Sequence, residues 1–226
     1  MEKITDSFTK SLVVNSADLI ENYAELGIDL LIDNDILKEI PIVNTLMGSA
    51  KVIKTIYDRN CIKNLIQFIN EINTGGIDKK KLNNYQNELF SNPKKAENEL
   101  GRVLLIISSN IDSEKNIMIG RLFKAYVNFE LSWDEFCELT EVVRRLFIQD
   151  IPLLLGIYHG ELKKSKIAYE MYRLDRIQSL GITGTSPDAF TAPARELDDN
   201  FYLVPNKIGK KFMRIVFDGG SNGESN

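Results

Sequence analysis

One histidine and two cysteines among 226 residues leave little material for metal or nucleophilic chemistry. A zinc site draws on clustered Cys and His ligands, and the sequence has no such cluster. A histidine-based triad would have to set His159 beside a nucleophile such as Cys137 or a serine. Nothing local supports that, and His159 falls where a helix is expected to end, a common place for a histidine beside terminal carbonyls. The phosphate-cradling patterns GxxxxGK(S/T) and GxGxxG are absent; Gly75-Gly76 and Gly219-Gly220 read as turn glycines. Carboxylate pairs such as Asp134 with Glu138, or Glu97 with Glu99, arise by chance on helix surfaces. The expectation is therefore no catalytic residue, no metal, no cofactor and no small-molecule substrate.

Long hydrophobic runs are also missing. A membrane span takes about 20 predominantly apolar residues. The least charged run, 40–50, is half that length and includes Asn44, Thr45 and Ser49. Extending it brings in Lys51 and Lys54, which favours a buried core helix over a membrane segment. The first residues, MEKITDSFTKSLVV, lack the apolar core of a secretion signal. Cys61 and Cys137 lie in expected helices and read as buried thiols of a reducing compartment. A cytoplasmic location follows as the expectation. The net charge of -4 excludes a general attraction to nucleic acid.

What remains is helical periodicity. Residues 8–33 predict a first helix, with Leu12, Leu19, Ile20, Tyr23, Leu30 and Leu31 inward and an acidic stripe of Asp18, Asn22, Glu25, Asp29 and Asp33 outward. The most apolar stretch, 36–72, predicts the buried spine of the fold. It reads as one amphipathic helix or as two broken near Asp58–Asn60, with Leu46, Ala50, Ile53 and Tyr57 at helical spacing. Asp78 is an expected N-cap for a surface helix over 79–90. Asn92-Pro93 opens a helix over 94–109 that is apolar on most sides. A helix over 117–129 follows. Ser132 and Glu135 form a capping box, with Leu131 poised to staple onto Phe136. The short NFELS connection predicts an antiparallel helical hairpin. It lacks the oxygen-rich loop of a calcium site, so calcium is not expected. Asp150 is expected to cap a short helix ending near Gly160, and 163–180 to form another, stopped by Gly181. Residues 183–200 read as a long loop, 201–204 as a strand, 205–217 as a last helix, and the rest as a tail.

The order RLDRIQSLGI, loop, FYLVPNKIGKKFMRIVF resembles the end of a winged-helix domain. In that family a recognition helix closes in a leucine-glycine turn, here Leu180-Gly181-Ile182. A strand, a wing and a second strand follow, the last here Phe201 to Val204. The closing helix opens on threonine-any-any-glycine, matched by Pro205 to Gly209 with Pro205 where the threonine is usual. The helical body resembles uncharacterised bacterial proteins found among mobile-element and phage-defence cargo. The expected fold is thus mainly α: a multi-helix bundle over 1–149, a small winged-helix-like α+β element over 150–217, and a disordered tail over 218–226. The leading expectation for function is a non-catalytic regulatory or interaction protein that docks a protein partner or itself. Two others stand beside it. One is a DNA-binding regulator using the basic helix 163–176. The other is a membrane-perturbing effector that releases 36–57. Residues 150–217 carry ten Lys/Arg against eight Asp/Glu. The candidate nucleic-acid or partner contacts are Lys163, Lys164, Lys166, Arg173, Arg176, Lys207, Lys210, Lys211 and Arg214.

Overall fold

The structure, a computed structural model, describes residues 2–13, 39–49, 56–160, 171–185 and 203–219. These residues form ten α-helices and one two-stranded sheet. The chain divides into two compact units, Met1–Phe136 and Cys137–Asn226. The expected division lay after residue 149.

The first unit contains α1 (Glu2–Ser11), α2 (Pro41–Ser49), α3 (Ile56–Asn73), α4 (Lys79–Ser91), α5 (Pro93–Ser109) and α6 (Ser113–Val127). The start of α7 (Trp133–Arg145) belongs to it too. Helix α3 is its centre, packed against α2, α5 and α6, while α1 packs on α2, α4 and α5. Leu65, Phe68 and Ile69 of α3 are fully buried. Aromatic edges tie the helices together: Phe8 meets Phe68 at 5.9 Å, Phe68 meets Phe123 at 5.5 Å, and Phe123 meets Tyr85 at 5.8 Å between ring centroids. The buried Ser11 hydroxyl accepts the Ile42 N–H at 2.9 Å, so α1 caps the start of α2 from outside.

Several local readings hold. Asp78 accepts from the N–H groups of Lys80 and Lys81, and Asn92 from that of Lys95, with Pro93 opening α5. The capping box is formed: Ser132 N–H donates to Glu135 at 2.8 Å, and Glu135 N–H to the Ser132 hydroxyl at 3.2 Å. Leu131 and Phe136 are both buried.

Others need correction. The first helix ends at Ser11 in a tight turn, Val13 N–H reaching the Lys10 carbonyl. Residues 14–38, with most of the expected helix and its acidic stripe, lie outside the described residues. Asp58–Asn60 do not break the central helix. They form the first turns of α3, where an acidic side chain suits the helix dipole. Ala50 and Ile53 lie outside the described residues, and Tyr57 is 63% exposed rather than inward. Helix α5 buries one stripe, Leu100, Val103 and Ile107, and leaves Leu105 72% exposed.

Beyond Phe136, α7 continues with Leu139 and Val143 buried, and Leu146, just past its end, is buried too. A short turn of helix over Ile148–Asp150 leads into α8 (Ile151–His159). Gly160 closes α8 in the left-handed conformation, φ 69°, where a side chain would be strained. Then come α9 (Met171–Gln178), β1 (Thr183–Thr185), β2 (Leu203–Pro205) and α10 (Lys207–Val216). The strands pair antiparallel, Thr183 opposite Pro205 and Thr185 opposite Leu203. Residues 183–185 are therefore strand, not loop, and Pro205 ends a strand instead of opening a helix. Asn206 opens it: its side chain accepts the Gly209 N–H at 2.8 Å and donates to the Gly181 carbonyl at 2.8 Å. Residues 161–170, 186–202 and 220–226 lie outside the described residues. With them go the first half of the expected 163–180 helix, Phe201, Tyr202 and most of the tail.

Candidate interaction surface

Asp150 was expected to cap α8, but its side chain makes no capping bond. Its carboxylate is instead held by two arginines one turn apart on α9. Arg173 Nε donates to Oδ1 at 2.8 Å; Arg176 donates through Nε to Oδ2 and through Nη2 to Oδ1, both at 2.7 Å. Arg173 also donates to the Gln149 carbonyl. The Asp150 side chain is only 2% exposed. Burial pushes its carboxyl up, and the hydrogen bonds and charges of Arg176 and Arg173 more than reverse this, leaving it below the ordinary carboxylate value. The clamp fixes α9 to the start of α8.

Above the clamp the Arg176 guanidinium lies between two rings, 4.4 Å from the Phe147 centroid and 5.7 Å from that of Tyr172. Phe147 is 49% and Tyr172 67% exposed. The result is an aromatic-guanidinium-aromatic stack on the surface of the C-terminal unit, its charge answered from beneath by Asp150. Below Tyr172 on the same helix, Leu174 and Ile177 are buried.

The candidate cations thus part company. Arg173 and Arg176 meet at Asp150. Lys163, Lys164 and Lys166 lie outside the described residues. Lys207, Lys210, Lys211 and Arg214 fall at helical spacing on α10, opposite the buried Phe212, Met213, Ile215 and Val216. Lys207 and Lys210 are exposed, Lys211 and Arg214 partly so. Sequence reading missed Phe147 and Tyr172 as surface features. The available signal was that Tyr172 falls off the Leu174–Ile177 face of its own helix.

The remaining reactive groups are engaged elsewhere. Burial, then the nearby Asp58 charge, raises the Cys61 thiol, which keeps it protonated and a poor nucleophile. His159 is exposed and lies edge-on to Tyr158 at 5.1 Å. In the first unit the buried Glu99 accepts from Tyr85 at 2.8 Å and Tyr126 at 2.9 Å, with Lys95 Nζ 3.6 Å away. Burial, then Glu99, pushes the Tyr85 phenol well above its ordinary value. Among the described residues no group of three or more His, Cys, Asp or Glu could hold a metal ion, and no helix is long and apolar enough to cross a membrane. The chain matches no protein-family model, no curated protein and no solved structure.

Proposed function

We propose that the chain is a non-catalytic interaction protein whose C-terminal unit, a winged-helix-like module, docks a protein partner, a second copy of the chain included. The observation that carries this reading is the exposed Phe147–Arg176–Tyr172 stack. Aromatic residues and arginine are the types enriched where protein interfaces bind most strongly. Here the Asp150 clamp holds Arg176, so little of that side chain's freedom is lost on docking. The likeness to a winged helix is supported by the order α9, β1, β2, α10, by the antiparallel pairing, and by Asn206 and Gly209, which keep the spacing of the threonine-any-any-glycine opening. DNA binding through 163–176 is the weaker reading, because two of its five cations share one buried carboxylate.

Affinity capture with wild-type and F147S/Y172S baits, quantified side by side, tests the proposal. The expected result is a protein recovered by the wild type and reduced at least tenfold with the double variant. An F129S bait keeps it, which controls for an exposed ring elsewhere. Equal recovery by all three baits would sink the assignment of this surface. No recovery at all, with a monomer by light scattering at every concentration, would sink the function itself.

A further inference from the structure

We propose that the outer face of α10 is a binding site for the phosphate backbone of a nucleic acid, separate from the Phe147–Tyr172 surface. Every polar side chain of this helix is cationic: KIGKKFMRIV offers Lys207, Lys210, Lys211 and Arg214 and no acid or neutral polar group. Each other described α-helix with Lys, Arg, Asp or Glu carries both signs, as in EKITDSFTKS of α1 and MYRLDRIQ of α9. The four cations stand at i, i+3, i+4 and i+7, which gathers them on one side along about 10 Å of helix. Lys207 occupies the first position of α10, where the helix dipole disfavours a cation, so helix stability does not account for it. Asp218 stands one turn beyond Arg214 and accepts from Tyr158 at 3.1 Å, so the exposed Lys207 and Lys210, farther from it, are the cations that carry the site.

The occupant follows from what the face lacks. Lysine is depleted from protein interface cores, so an acidic protein surface is the poorer match. The apolar side of α10 is buried, with Phe212 and Val216 at 0% exposure, so that side is not on offer to a bilayer. Phosphates need only point charges on a rigid support, without base-specific geometry.

The test is fluorescence anisotropy of the full chain with a labelled random-sequence duplex, and with the matching single strand, across a salt series. Two phosphate contacts, from Lys207 and Lys210, predict that duplex affinity falls about tenfold between 50 and 200 mM salt. K207Q/K210Q should weaken binding at least tenfold and remove most of that salt dependence. K207R/K210R should retain it, and F147S/Y172S should leave it unchanged. Circular dichroism checks that each variant is folded; if K207Q/K210Q is not, K210Q alone should weaken binding and flatten the salt dependence in the same direction. Absence of binding in low salt, or binding indifferent to the glutamine variants, would overturn the proposal. Displacement by polyglutamate as readily as by unlabelled duplex would overturn it too and assign the face to an acidic protein.

Discussion

Gly209 has no space for a methyl group, because a Cβ there would overlap the Ile182 carbonyl oxygen. The obstacle is backbone, which cannot swing aside, so Gly209→Ala must push α10 off the turn at Gly181–Ile182. A loss of about 3 kcal/mol is expected, read as a lower denaturant midpoint. Asp150 makes a pH-dependent counterpart. Asp150→Asn should cost about 2–3 kcal/mol near neutral pH, since it leaves two partly buried arginines without their carboxylate. The folded carboxyl titrates below the unfolded value of about 3.9, so its contribution is complete well above that pH. It is lost as acid takes the pH down through the folded value. The stability gap between wild type and Asp150→Asn should therefore close on acidification, and a gap that stays constant to pH 3 would refute the clamp's role.

At the scale of elements, helix ends are where sequence and structure agree best, because capping is chemistry between neighbours. Asp78, Asn92 and the Ser132–Glu135 pair could be read directly, since each side chain serves an N–H only two or three residues away. Asp150 looked the same by that rule, but its partners Arg173 and Arg176 are distant in sequence, and three charge-assisted bonds outcompete a cap. The Ser11 cap on α2 was hidden for the same reason: it spans 31 residues. Strand β1 was missed because TGT has no apolar alternation and exists by pairing with β2. The turn after α6 holds one more surprise. Phe129 has φ 64°, a left-handed conformation disfavoured for a bulky residue, and its ring is exposed under Lys81. Phe129→Gly should raise the thermal midpoint, with a gain of about 0.5–1 kcal/mol. A loss would mean that the Lys81–Phe129 contact outweighs the strain.

At the scale of the molecule, the two units read differently. In the first, polar groups are turned inward on one another, as Glu99 on Tyr85 and Tyr126, and the aromatic chain from Phe8 to Phe123 is spent on packing. The buried spine expected over 36–72 is visible where it is described: Ile40, Ile42, Val43, Ile62, Leu65, Ile66, Phe68, Ile69 and Ile72 are all buried. In the second, the two rings beside Arg176 are exposed, and a cationic face stands on α10. Such a surface is suited to contact with a partner. Hydrogen exchange of the chain, alone and with the partner recovered by capture, asks this most directly. Slowed exchange in peptides covering 146–149 and 171–176 is the predicted footprint. Protection confined to the first unit, with those two peptides unchanged, would contradict it.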